Sequence, residues 1–188
     1  RAQGNYLYDD RGNRYFDGVS SLWVTVHGHG HPAIVRAITE QAAQLDHSTT
    51  LGLTHPRAVE LAERLVALAP PGLERVFYSD AGSTAVEIAL KQAFQYWAHR
   101  HRPSKRRFVH LTDSYHGDTL GAVDVGGNDL FHRVFGSLVV AGRPVRSPAP
   151  RDGESSEQAL DRGLAALEDV LRAEGAELAA FVVEPRVQ

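Results

Sequence analysis

Two stretches carry residue types that can do chemistry. In Asp80-Ala81-Gly82-Ser83-Thr84, a glycine and two hydroxyls follow the apolar run Val76-Phe77-Tyr78. They precede a segment of helical period in which Val86, Leu90, Ala93 and Trp97 share one face. The first N–H groups of a helix have no partner within it, and its dipole favours an anion there. Gly82 has no Cβ to keep a ligand off the backbone, and Ser83 and Thr84 add hydroxyl donors. That combination can seat a phosphate, although Ser and Thr at such a place more commonly act as ordinary helix caps. The second stretch is Tyr115-His116-Gly117-Asp118-Thr119, after the strand-like residues 107–112. Open α/β sheets place ligands at strand ends. Tyr115 offers a flat ring and His116 a titratable one, while surface turn chemistry accounts for both equally well. His27, His29 and His31 alternate, but no carboxylate or cysteine lies close by in sequence to complete a metal set. A glycine-rich loop leading into a helix at Pro32 is expected there.

The elements that must position these residues follow from pattern. Tyr6-Leu7-Tyr8 and Arg14-Tyr15-Phe16-Asp17 flank a Gly12-Asn13 turn and predict a β-hairpin. Amphipathic helices are predicted over 33–45 and from about 59 to 68, the second stopped by Pro70-Pro71-Gly72. The helix that opens at Gly82 runs to about His101, before Pro103. Strands are predicted at 76–78, 107–112, 138–141 and 179–183, and a loop over 143–153. Ser155-x-x-Gln158 has the form of a capping box and opens a last helix. Helices between short apolar strands predict an α/β fold with a mostly parallel, covered sheet.

Composition narrows the function classes. The 188 residues carry a net charge of −3, which implies no basic surface for nucleic acid. There is no cysteine, hence no disulfide or thiolate metal site. No apolar run is long enough to span a membrane, and a cytoplasmic protein is expected. Methionine is absent even at position 1, and the chain stops just after a predicted strand, so a piece of a longer polypeptide is expected.

Phe77 to Lys91 read as Phe-Tyr-Ser-Asp-Ala-Gly-Ser-Thr-Ala-Val-Glu-Ile-Ala-Leu-Lys. With Tyr115-His116-Gly117-Asp118-Thr119, Val183-Glu184-Pro185 and Val187-Gln188, this order resembles the class III pyridoxal-phosphate aminotransferases. Asp17-Gly18-Val19-Ser20-Ser21-Leu22-Trp23 running into His27-Gly28, and Gln95-Tyr96-Trp97, resemble the diaminopelargonate branch of the biotin pathway. The resemblance implies a fold-type I transferase, with a hairpin-and-helix segment at 1–50 and the first part of a large cofactor-binding α/β domain at 51–188. It implies pyridoxal 5'-phosphate as cofactor and a homodimer. Gly82 and Ser83 would hold the phosphate, Tyr115 would stack on the pyridine ring and shape the substrate site, and His116 and Gly117 would accompany it. Leu22 and Trp23 would form a substrate wall. Relatives often carry Trp at both positions, so Leu22 is a departure that admits lysine as well as adenosylmethionine as donor. Arg186 is a second departure, and Glu184 a structural strand-end residue. The reaction implied is transamination of 8-amino-7-oxononanoate to 7,8-diaminononanoate. Only Lys91 and Lys105 are present, and neither matches the family's Schiff-base position. That lysine, the aspartate partner of the pyridinium and the carboxylate-binding arginine are expected beyond Gln188, so no catalytic residue is expected within the chain. The alternatives are an aminotransferase for another ω-amino acid and a non-catalytic module that binds a phosphate ligand.

Overall fold

The structure, a computed structural model, describes residues 1–127, 132–139 and 142–185 and divides into two compact units, Arg1–Val76 and Phe77–Gln188. Asn128, Val140, Ala141, Arg186, Val187 and Gln188 lie outside the described residues.

The first unit opens with an antiparallel sheet, β1 (Ala2–Gln3), β2 (Tyr6–Tyr8) and β3 (Arg14–Phe16), in the order β1-β2-β3. Its predicted hairpin turn is tied by Asp9, whose carboxylate accepts from the N–H groups of Arg11 and Asn13 at 3.0 and 2.8 Å. Gly12 takes the positive φ of 85° that the turn needs. Helices follow at Pro32–Gln44 and Pro56–Leu68, each begun by a proline, which has no N–H to leave unpaired at a helix start. No residue of this unit is buried, and Ile38, Leu61 and Leu65 on these helices stay exposed.

The second unit is built on a parallel sheet, β4 (Arg107–Leu111), β5 (Arg143–Val145) and β6 (Leu178–Val182), in the order β5-β4-β6. Val109, Val145 and Leu178, one from each strand, form its core against Ala166, Leu167 and Val170 of the helix Ser156–Glu174. The capping box at that helix is present. Ser155 Oγ accepts from Gln158 N–H at 3.2 Å, and Gln158 Oε1 accepts from Ser155 N–H at 2.9 Å. The helix Gly82–His99 sets Val86, Leu90, Ala93 and Trp97 on its half-buried side, and Trp97 Nε1 donates to Ala179 O on β6 at 2.7 Å.

Two strand expectations are corrected. Residues 76–78 are not a strand among the described residues. β4 has β5 on one edge and β6 on the other, and Phe77 is 66% exposed, so the run's β-formers find no pleated surface to lie on. Leu138, expected to open a strand over 138–141, instead closes a short 3₁₀ helix over residues 133–138, Val140 and Ala141 lying outside the described residues, and a strand at Arg143–Val145 falls in the expected loop. Gly142 admits the chain to that place. Its N–H bonds Asp124 Oδ1 at 2.8 Å, and a Cβ there would overlap Asp124 O. Pro144 is tolerated because β5 is an edge strand.

Candidate active site

In the helix Gly82–His99 the first backbone bond runs from Ala85 N–H to Ala81 O at 3.0 Å, so the N–H groups of Gly82, Ser83 and Thr84 precede the ladder. Nothing lies within 4 Å of where a Cβ on Gly82 would stand. Thr84 is occupied with the turn itself. Its Oγ1 accepts from Ala81 N–H at 3.1 Å and lies 2.8 Å from Asp80 Oδ1, to which it donates. That bond holds the Asp80 carboxyl below its ordinary value of 3.8. Ser83 Oγ accepts from Asp118 N–H at 3.2 Å, which leaves its one hydrogen to donate elsewhere.

That contact brings the two chemically promising stretches together. Gly117, at φ 124°, lies against Ser83 so closely that a Cβ would overlap the serine side chain. One helical turn further on, Glu87 Oε1 accepts from Gly121 N–H at 2.7 Å, at the start of the helix Leu120–Asp124. Ser83 and Glu87, four apart on one helix face, therefore hold the 117–121 loop at two points. Glu87 was not singled out from sequence, and its spacing from Ser83 was the signal available. Tyr115 donates its hydroxyl to Asp118 Oδ2 at 2.6 Å, and its ring stacks on His132 with centroids 5.9 Å apart. The carboxylate raises the phenol above its usual range, which favours the hydroxyl as a donor. The same bond, helped by His132, lowers Asp118. His116 is pushed below its usual value chiefly by burial, with Glu184 opposing. Its Nε2 is buried with no hydrogen-bond partner among the described residues.

Leu22 and Trp23 lie in the first unit, on a turn of unusual hand. Ser20, Ser21, Leu22 and Trp23 have φ of 53°, 48°, 63° and 72°, a left-handed helical turn without a glycine. Such a conformation costs about 1–2 kcal/mol per L-residue and persists where neighbours enforce it. Asp17 bonds the middle of this turn. Its Oδ1 accepts from Ser21 N–H at 2.8 Å, and its Oδ2 accepts from Ser21 Oγ at 2.8 Å and lies 2.7 Å from His29 Nε2. The histidine series thus does have a carboxylate beside it, which the fold supplies from twelve residues upstream. These bonds take Asp17 down to about 2.

Neither lysine is placed for chemistry with a phosphate at Gly82. Lys91 is the ninth residue after Gly82, about 13 Å along the helix at 1.5 Å per residue. Lys105 donates to Gly175 O at 2.6 Å and to Leu178 O at 3.1 Å, and its Nζ stands 4.6 Å from the Trp97 ring centre.

The family model for class-III aminotransferases matches residues 1–188. The adenosylmethionine-8-amino-7-oxononanoate aminotransferase of Geobacter sulfurreducens is 48% identical over 193 residues, covering 100% of this chain and 42% of the relative. The chain therefore spans about two fifths of the length of such curated relatives. The crystal structure of the Methanocaldococcus jannaschii enzyme of the same name superposes at a TM-score of 0.86 with 37% identity, over 97% of this chain and 40% of that one. The omega transaminase of Pseudomonas jessenii in complex with PMP superposes at 0.92 with 29% identity, over 100% and 43%. The antiparallel hairpin sheet, the parallel sheet and its covering helices are thus those of fold-type I aminotransferases, and the chain belongs to the class-III aminotransferase family.

Proposed function

We propose that the protein transfers an amino group to 8-amino-7-oxononanoate, giving 7,8-diaminononanoate for biotin synthesis, with adenosylmethionine or lysine as donor. Enzymes of this class use pyridoxal 5'-phosphate. The observation that carries the reading in this chain is the joining of the Gly82–His99 helix start to the Tyr115–Asp118 turn through Ser83, Gly117 and Asp118. The residues present fit the cofactor. The helix start at Gly82 is open, Ser83 keeps a hydrogen to donate, and His116 Nε2 is a buried polar atom without a protein partner among the described residues.

In this reading the N–H groups at Gly82 and Ser83 and the Ser83 hydroxyl bind the phosphate. Gly117 lets the turn close on Ser83, His116 accompanies it as a neutral imidazole, and the Tyr115 ring orients the pyridine. When bound, the cofactor supplies an electron sink, a chemistry that no side chain of this chain offers. Leu22 and Trp23 form the wall against the amine substrate, and the smaller Leu22 leaves the donor side roomier than a second Trp would. A cytoplasmic homodimer goes with the proposal. The exposed apolar faces of the Pro32–Gln44 and Pro56–Leu68 helices support the dimer, and no described helix is long and apolar enough to cross a membrane.

The test is an assay of the complete protein with 8-amino-7-oxononanoate and, in turn, adenosylmethionine, lysine and ω-amino acids as donors. Formation of 7,8-diaminononanoate with one of the first two is the expected outcome. Turnover of ω-amino acids with simple keto acceptors and none with 8-amino-7-oxononanoate would assign the protein to the other branch of its family. A protein that binds the cofactor and turns over no amine would be the non-catalytic module.

A further inference from the structure

We propose that Asp17 is a positioning residue for the substrate wall: its carboxylate, bonded to Ser21 and His29, holds Ser20–Trp23 in the left-handed turn that sets where Leu22 and Trp23 stand. The proposal rests on the reading of those two residues as the wall that meets the amine substrate.

Four consecutive non-glycine residues in the left-handed region do not stay there by propensity. Within the turn, Trp23 N–H bonds Val19 O and Val24 N–H bonds Ser20 O, both at 3.0 Å. A right-handed turn would offer comparable bonds, so these do not choose the hand. Asp17 does. Both of its oxygens reach Ser21, one to the backbone N–H and one to the hydroxyl, which fixes the peptide and the side chain of the same residue. Ionised, Asp17 can only accept, so His29 Nε2 carries the hydrogen of the third bond.

The clamp is itself anchored from two sides. Asp17 N–H bonds Asn5 O at 2.9 Å, just after β3. His29 and Gly4 exchange backbone bonds at 2.7 and 3.0 Å, and Gly28, at φ 79°, presses onto Gly4. The Asp17 and His29 side chains are 5% and 14% exposed, whereas Leu22 and Trp23 are 64% and 69% exposed. A doubly anchored, little-exposed carboxylate thus holds the backbone from which two large outward-facing side chains project. A flat outward-facing aromatic carried on a held backbone is suited to selecting the shape of a substrate chain.

The test uses the complete protein loaded with cofactor, with 5-fluorotryptophan incorporated and the Trp23 fluorine line assigned by its loss in Trp23→Phe. Asp17→Asn should shift or broaden the Trp23 line and raise KM for the amino donor about tenfold or more, with kcat changed far less. His29→Ala should act in the same direction, and His29→Gln, which keeps a donor, should act less. The decisive variant is Asp17→Asn with Ser20→Gly, since glycine enters the left-handed region without strain. It should restore the line and bring KM back to within about threefold of the original. A general loss of fold would not be rescued by glycine at position 20, and such an outcome overturns the positioning role. Trp23→Ala separates the proposal from its premise. If it leaves KM unchanged, the wall reading falls and the proposal with it. If it raises KM while Asp17→Asn moves neither KM nor the fluorine line, the wall stands and the role of Asp17 is refuted.

Discussion

Ser83 is placed so that its hydrogen-bonding capacity is divided. Its oxygen takes the Asp118 N–H, which binds the second stretch to the first, and its hydrogen remains to donate, in the proposed reading to the cofactor phosphate. Ser83→Ala should therefore weaken cofactor binding in the complete protein by about 1–3 kcal/mol, one hydrogen bond to a charged group, measured by absorbance titration with pyridoxal phosphate. Gly82→Val should abolish retention, because a branched side chain would fill the space now open above the helix start. Unchanged affinity in both variants would refute the phosphate seat. Asp17 gives a prediction in pH. Its bonds to Ser21 and His29 lower it from 3.8 to about 2. A carboxyl lowered on folding stabilises fully above its unfolded value, and that contribution is lost as pH falls through the folded one. Between about pH 4 and 2 the protein should lose urea resistance more steeply than Asp17→Asn does, and parallel pH profiles would contradict the clamp.

At the scale of elements, much was legible because local rules and packing agreed. The hairpin around Gly12, the two proline-started helices, the Ser155–Gln158 cap and the helix face of Val86, Leu90, Ala93 and Trp97 all follow from short-range pattern, and the structure contains them. The strand at 76–78 failed because β-propensity describes fit to a partner surface, which the run does not find. The strand at 143–145 was hidden by Pro144 and revealed only by the edge position of β5 and the close seat of Gly142. The left-handed turn at Ser20–Trp23 was not readable either, since nothing in Ser-Ser-Leu-Trp favours it and the Asp17–His29 bond beside it forms only in the fold. Gly82, Ser83, Tyr115, His116 and Gly117 were legible as candidates, but only the fold shows Gly117 lying on Ser83. Lys105 is an element-scale anchor. It ties the end of the Gly82–His99 helix region to Gly175 and Leu178, around the turn into β6, beneath Trp97. Lys105→Met should lower stability by about 1–3 kcal/mol in denaturant unfolding, through the lost charged hydrogen bonds, and should spare turnover of the folded protein. Lys91→Arg, on an exposed part of the helix, should change neither. Loss of turnover in folded Lys91→Arg would mean that the helix lysine takes part in the chemistry after all.

At the scale of the molecule, the described residues bring together those proposed to bind the phosphate and stack on the ring, and neither lysine stands where the proposed chemistry needs an amine. Transamination needs an amine that bonds covalently to the cofactor and a group that moves protons at the adjacent carbon. Lys91 stands about 13 Å along the helix from the proposed phosphate, and Lys105 spends its donors on two carbonyls and its charge on a ring. Tyr115 is held protonated by Asp118, and His116 is held neutral by burial, so neither replaces a lysine amine. In the isolated stretch the apolar faces left uncovered on the first unit add a second obstacle, since without the rest of the proposed dimer they favour non-specific association. Residues 1–188 expressed alone and supplied with pyridoxal phosphate should therefore turn over no amine. Borohydride reduction followed by peptide mapping should find no cofactor adduct on Lys91 or Lys105, even where the phosphate seat retains some cofactor. A reducible adduct on either lysine together with measurable formation of 7,8-diaminononanoate would overturn the assignment of these side chains to structure and place the reaction within this stretch of sequence.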